Sequence, residues 1–378
     1  MKNKLKFKFD MRAYTLIIAL LLIVAIFTIM TNGDFISSRN ITNLTRQMTV
    51  IGVLAVGMTL VIVAGHIDLS VGSIVGLTGG IAAILQVWHG WSTLPVILVT
   101  ILAGVVLGLW QGWWVAYKGV PAFIVTLGGM LIFRGILLGI SGGQTVAPMN
   151  TSFRAIGQAY IPFALGYILL AVLIVLGFVS IMRKRKRRAD LNMTVIPPVV
   201  DYGKMVVFSV LVTGFVYMLS RYQGVPVPLL ILLVIAGIFI FISRNTTFGR
   251  HIYAIGGNEE AAKLSGINIK RNLLYVFILM GALGAVGGII LTSRLNAGTV
   301  GAGDMYELDT IAAVVIGGTS LAGGVGTIVG SILGALIMAS IDNGMSMMNI
   351  APFWQYIVKG LILIFAVYLD IASKKKNK

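Results

Sequence analysis

The sequence contains no cysteine, which excludes a disulfide framework, a thiolate metal site and a cysteine nucleophile. Histidine is almost as scarce. His66, His89 and His251 are the three in 378 residues, too few to suggest a multi-histidine metal centre. Charge is sparse too: 29 basic and 12 acidic residues make up 11% of the chain, against roughly 25% in soluble globular proteins. What fills the space is apolar. Hydrophobic residues are 58% of the chain and the mean hydropathy is +0.97. A soluble fold of this composition could not cover itself with polar surface, and disorder, collagen and a coiled coil are excluded on the same figures. The net charge of +17 comes from basic residues in short runs between apolar segments. That is the pattern of membrane orientation, not of nucleic-acid binding.

Candidate spans fall at 14–30, 48–65, 71–88, 94–117, 121–140, 163–182, 205–220, 226–243, 272–292, 308–322, 325–341 and 353–370. Long apolar runs without period-2 alternation make them helices, one of the two structures that satisfy their backbone in lipid. Two of them, 205–220 and 308–322, are short for a full crossing, which takes about 20 residues. Polar or glycine-rich junctions interrupt the pattern at 64–73, 141–145 and 317–326. The expected fold is therefore an all-α polytopic membrane bundle of about ten to twelve helices, some broken. Residues 1–30 resemble a signal peptide, but Thr31-Asn32-Gly33-Asp34-Phe35 offers no small-x-small cleavage site, so an uncleaved first helix is expected.

Basic residues set the orientation. Segments 1–13, 183–188, 244–271 and 374–378 hold five, six, five and four of them, twenty of the 29. The other side keeps Arg39, Arg46, Arg154, Arg221 and Arg294. Both termini are expected in the cytoplasm, with a tail at 1–13, a transmembrane domain at 14–372 and a basic tail at 373–378. The transmembrane domain carries a basic cytoplasmic insertion at 183–204 and a long loop at 244–271. The run Arg183 to Arg188 reads as a stop-transfer signal or a patch for anionic lipid.

Glycines recur at four-residue spacing: Gly72/Gly76/Gly80, Gly104/Gly108/Gly112, Gly135/Gly139/Gly143 and Gly326/Gly330/Gly334. On a helix that spacing forms one face, where another backbone can approach closely, either for tight packing or as a seam that slides. Residues 58–84 align with 312–338 at an offset of 254, with eight of 27 positions identical, a weak sign of internal duplication.

Among the acids, Asp68 stands out between two apolar runs, in Ala64-Gly65-His66-Ile67-Asp68-Leu69-Ser70. It reads either as a cap on the following helix or as a polar group exposed on a substrate path by a broken helix. Ser70, Ser73, Thr126 and Asn343 are the other candidates for such a path, although Asp342-Asn343-Gly344 also reads as an outer turn. Arg134, inside a span, needs a partner or a wet cavity. Trp88, Trp91, Trp110, Trp113, Trp114 and Trp354 lie near span ends, as in an interfacial aromatic belt.

No G-x-x-x-x-G-K-[ST] or H-E-x-x-H motif occurs. The G-x-S-G at Gly139-Ile140-Ser141-Gly142 has no base that can be placed beside it. No catalytic or metal site is expected, and no P-loop nucleotide site.

The loop 244–271 carries both signs of charge. Asn258-Glu259-Glu260-Ala261-Ala262-Lys263-Leu264 starts like a capped short helix with acids in its first turn, and Gly266 supplies a stop. It could be a docking element or a solvated connector. Here the chain resembles the permease subunits of bacterial ABC sugar importers, ribose/xylose-type branch. Glu260-Ala261-Ala262-x-x-x-Gly266 is similar to that family's ATPase-coupling loop. Further likeness lies in 67–73, 120–129, 316–326 and 342–360, and the last stretch looks most like the xylose-type members. The resemblance covers roughly 35–370. It implies a homodimer in the bacterial inner membrane, an ABC ATPase subunit beneath holding ATP and Mg, an extracytoplasmic sugar-binding protein above, and a translocation pathway for D-xylose or a related sugar. Glu259, Glu260, Ala261, Ala262 and Gly266 would then be the coupling residues. Such permeases need no high-affinity sugar site of their own. The competing reading is an ion-coupled secondary transporter, for which Asp68 is the one plausible coupling carboxylate.

Overall fold

The structure, a computed structural model, describes residues 11–191, 193 and 197–375; the expected tail residues 1–10 and 376–378 lie outside them. The described chain is helical almost throughout. In order come α1 (Met11–Met30), α2 (Ser38–Val63), α3 (Val71–Val87), α4 (Thr93–Lys118), α5 (Ala122–Ser141) and α6 (Thr151–Gln158). Then follow α7 (Phe163–Asp190), α8 (Pro198–Ser220), α9 (Val227–Asn245), α10 (Thr247–Gly257) and α11 (Glu259–Leu264). The last are α12 (Ile269–Leu295), α13 (Tyr306–Ile316), α14 (Ile328–Met347) and α15 (Pro352–Lys375). Among the described residues nine helices are long and apolar enough to cross a membrane, with Thr15–Met30 of α1 and the whole of α3 as shorter apolar stretches.

Two spans differ from expectation. The 308–322 segment does not cross: α13 has 11 residues, about half the length a crossing takes, and Gly317 and Gly318 end it. The 205–220 segment is the C-terminal part of a 23-residue helix, because Pro198 starts α8 seven residues earlier than the apolar run suggests. The basic run is helical as well. It extends α7 to Asp190, and Arg185 pairs across to Asp201 on α8 at 2.6 Å.

A helix hydrophobic on every side belongs in the centre of a bundle. α2 is such a helix, buried from Met48 to Ala64 and packed by α12, α13, α14 and α9. α4, α5, α7 and α8 instead keep long apolar faces exposed, as lipid-facing helices do. The Trp side chains named above are all exposed.

Three of the four glycine series are contact sites. A Cβ at Gly104 or Gly108 would strike the carbonyl of Gly281 or Phe277, so α4 and α12 touch backbone to backbone. Gly72 and Gly76 meet the 302–303 turn, and Gly80 meets Leu137. Gly330 and Gly334 on α14 face Gly317 and Ala313, while Gly326 lies in the loop before α14, against Thr319. Among the described residues Gly135, Gly139 and Gly143 meet nothing within 4 Å, so this series forms no seam with them. The suggested duplication corresponds to two helix–glycine turn–helix units, α2–α3 and α13–α14. They are joined by Thr59, near the end of α2, and Ser331, near the start of α14, whose hydroxyls lie 2.7 Å apart.

Candidate functional site

α10 and α11 form a two-step ledge at one end of the bundle. Thr246 accepts from Gly249 N at 3.2 Å to start α10, and Asn258 Oδ1 accepts from Ala261 N at 2.9 Å to start α11. Gly266 ends α11 in the left-handed region at φ +80°, donating to the Lys263 carbonyl at 3.0 Å. Of the coupling residues expected from the sequence, Ala262 is buried. Glu259, Glu260, Ala261 and Gly266 are exposed on the ledge with Lys263, and Leu264 is 90% exposed at its tip.

The inner side of the ledge is wedged into the bundle. Gly256 sits against the Val63 carbonyl at the end of α2 and against Gly324 in the 317–327 loop, with no room for a Cβ. The Gly324 amide donates to that same carbonyl at 2.9 Å, and Tyr253 donates its hydroxyl hydrogen to Gly326 O at 2.8 Å. One short helix therefore contacts the turns of both helix–turn–helix units. A cavity of about 680 Å³ runs beside α11, lined by His66, Pro121, Glu259, Lys263, Asn268 and Lys270 among others. Burial holds the His66 imidazole, in the turn after α2, below its usual range, and the Glu259 carboxylate pulls the other way.

Asp68 heads a buried polar knot, in which its own Oδ2 and the Gln111 Oε1 have no hydrogen-bond partner among the described residues. Its Oδ1 accepts from Ser70 N at 2.8 Å and from Ser70 Oγ at 2.6 Å, and the Gln111 amide donates to Ser70 Oγ at 2.6 Å. Ser73 Oγ donates to Ser70 O at 2.7 Å, and Thr126 lies within 3.5 Å of Ile67 O. Asp68 is not the helix cap that its position suggests. Ser70 holds the cap position of α3, and the carboxylate turns back on Ser70 instead. Asp68, Ser70, Ser73 and Thr126 are thus neighbours and fully buried. Asn343, the fifth path candidate, lies elsewhere, accepting from Asn40 Nδ2 at 2.8 Å.

The opposite end of the bundle holds a second ionic group. Lys359 Nζ on α15 lies 2.8 Å from Asp309 Oδ2 on α13 and 2.9 Å from Asp342 Oδ2 on α14, with the Asp309 side chain 1% exposed. Oδ1 of both acids is buried without a hydrogen-bond partner among the described residues. Asp342 and Asn343 are therefore not an outer turn but part of α14. Arg134 is satisfied, donating to Val300 O and Ala302 O at 3.2 Å each and pairing with Asp304 at 3.3 Å.

Residues 40–367 match the family described as branched-chain amino acid transport system / permease component. The chain belongs to this permease family. It is 50% identical over 370 residues to the xylose transport system permease protein XylH of Haemophilus influenzae, covering 97% of this chain and 98% of that one. It is equally 50% identical to XylH of Escherichia coli strain K12, over 97% of this chain and 94% of the other. The ribose import permease protein RbsC of Haemophilus influenzae is 36% identical over 98% and 96% of the two chains. No solved structure matches.

Within this permease fold, Asp309, Asp342 and Lys359 were not legible as a group. Asp342 precedes Asn343 and Gly344, which read as turn chemistry. The available signal was the spacing of Ala339, Asp342, Asn343 and Ser346, small or polar residues three, four and seven positions along one helix.

Proposed function

We propose that this chain is the membrane-spanning subunit of an ATP-driven importer of D-xylose or a closely related monosaccharide. It works as a homodimer in the bacterial inner membrane with both termini in the cytoplasm. An ATPase subunit docks from the cytoplasm on α11, and a sugar-binding protein delivers the sugar on the other face. The observation that carries the reading is the ledge: Leu264, Glu259 and Glu260 project outward while Gly256 is wedged between α2 and the 317–327 loop. A partner that moves α11 would move both turns together. The near-full-length identity to two xylose permeases supports the choice of sugar.

In this reading ATP and Mg bind only on the ATPase, since the chain has no Walker A pattern. The chain provides the pathway and the lever, and alternating access follows ATP binding and hydrolysis below. Uptake of radiolabelled pentoses and hexoses by a strain lacking this gene, with and without its complement, is the test. Restored D-xylose uptake supports the reading, and uptake that is indifferent to the gene overturns it.

A further inference from the structure

α7 runs for 28 residues, from Phe163 to Asp190, about 42 Å at 1.5 Å per residue. The hydrocarbon of a bilayer is about 30 Å thick. The apolar stretch 163–182 fills it, and the basic run from Arg183 to Arg188 then stands at headgroup level. Below that run α7 and α8 leave between them a groove of about 320 Å³, lined by Ile174 and Phe178 on one side and by Tyr202, Met205, Ser209 and Val210 on the other. We propose that this groove and its basic rim bind one anionic phospholipid, with an acyl chain in the groove and the phosphate on Lys186 and Arg188. The proposal concerns the bilayer and holds whichever solute the chain carries.

Two independent features select that occupant. The first is the chemistry and depth of the groove. Apart from the Tyr202 and Ser209 hydroxyls its walls are apolar, which gives a sugar or a nucleotide little to pair with. From Tyr202 to Val210 it follows eight residues of α8, about 12 Å, within the ~15 Å that one leaflet of the hydrocarbon provides. Phe178 and Val210 are exposed, so an acyl chain reaches the walls from the surrounding lipid. The floor forms where Gly177 admits the buried Met205 side chain against the backbone of α7.

The second feature is charge. Between positions 183 and 204 seven basic residues stand against two acidic ones, a net +5. Arg185 is committed: it pairs with Asp201 at 2.6 Å and lies over the Tyr202 ring, 5.7 Å from its centre. Tyr202 in turn stacks on Phe178 at 5.5 Å, so the rim and the groove wall are one connected surface. At ~100° per residue, Lys186 and Arg188 fall on either side of the helix face that Ile174, Phe178 and Arg185 share. Neither forms an ion pair among the described residues. Cations at headgroup level above a gap between transmembrane helices are the arrangement that holds an acidic headgroup. A stop-transfer role accounts for the basic run but not for the apolar groove beneath it.

The test is lipid binding to the purified full-length chain, read by native mass spectrometry from an uncharged detergent. Phosphatidylglycerol and phosphatidylcholine with identical acyl chains are offered at equal concentration, and the chain is expected to retain phosphatidylglycerol over phosphatidylcholine by about fivefold or more. Ser209→Phe fills the groove and leaves every charge in place, and is expected to remove most of the phosphatidylglycerol retention. Ser180→Phe, exposed on the opposite face of α7, is expected to change nothing. Lys186→Gln/Arg188→Gln is expected to weaken phosphatidylglycerol about tenfold or more while phosphatidylcholine stays as it was, and it decides the matter should Ser209→Phe fail to fold. Equal retention of the two lipids by the unaltered chain overturns the proposal. Full retention in Ser209→Phe overturns it as well, since charge alone would then hold the lipid at no defined place. Displacement of phosphatidylglycerol by an equal concentration of glycerol 3-phosphate would make this a site for free phosphate and not for a lipid. If Lys186→Gln/Arg188→Gln keeps its phosphatidylglycerol but loses co-purification of the ATPase, the rim is a protein contact and the lipid site falls.

Discussion

The carbonyl of Val63 accepts a hydrogen bond from the amide of Gly324 at 2.9 Å, tying the last turn of α2 to the loop between α13 and α14. The two residues are 261 positions apart, and each belongs to a different helix–glycine turn–helix unit. Gly256 of α10 packs on both. Packed interfaces of this kind shift between discrete arrangements and do not deform continuously, which makes this junction the natural place for a force on α11 to enter the bundle.

Gly256→Ala drives a methyl into the Val63 carbonyl. Overpacking at such a contact costs about 1–3 kcal/mol, so the ledge should shift and uptake should fall at least severalfold while membrane insertion persists. Gly257→Ala, which meets open space, is the control and should transport normally. Uptake assays on the two variants at matched expression check this.

Glu260 and Leu264 are exposed in the isolated chain, so their substitution should alter its own stability by under about 0.5 kcal/mol. At a buried interface, loss of a charged partner costs about 2–5 kcal/mol. Glu260→Ala and Leu264→Asp should therefore weaken co-purification of the ATPase and abolish uptake with insertion unchanged. Wild-type co-purification together with wild-type uptake in both variants would show that α11 is a solvated connector.

Lys359→Met leaves Asp309 and Asp342 facing each other without their cation. Breaking a buried pair costs about 3–5 kcal/mol, whereas replacing all partners by uncharged groups is often nearly neutral. The single variant should unfold at clearly lower temperature in detergent, and Asp309→Asn/Asp342→Asn/Lys359→Met should recover most of the loss. A thermal unfolding series on the purified variants reads this directly.

The bundle was largely legible because long apolar runs are the strongest signal a sequence carries, and Asn258 and Gly266 marked the ends of α11 by their capping chemistry. The broken segment was harder. Residues 308–322 are apolar enough to read as a span, but Gly317 and Gly318 release the chain after Ile316. Asp342 was misjudged because local turn chemistry at Asp-Asn-Gly yields when tertiary packing supplies partners, here Lys359 at 2.9 Å and Asn40 for Asn343. A partner that arrives from another helix leaves no local trace. Asp68 looked like a helix cap for the same reason, since its distance from Val71 said nothing of Ser70 and Gln111 closing around it.

Orientation can be read with single cysteines. Asn150 caps α6 through Phe153 N at 2.9 Å, so Thr145, exposed and outside that cap, is the less disruptive position. An impermeant thiol reagent should reach Thr145→Cys in intact cells and Lys186→Cys only after permeabilisation, as the basic residues dictate. Labelling of position 186 in intact cells would invert the topology.

In the proposed reading, ATP hydrolysis on a partner, and not an ion gradient, drives sugar through this chain. The most direct measurement is D-xylose uptake into proteoliposomes holding this chain, its ATPase and its loaded binding protein, with ionophores present. Uptake should require ATP and the ATPase, be unaffected by ionophores, and disappear with Leu264→Asp. Uptake by this chain alone, driven by a proton or sodium gradient and abolished by ionophores, would contradict it.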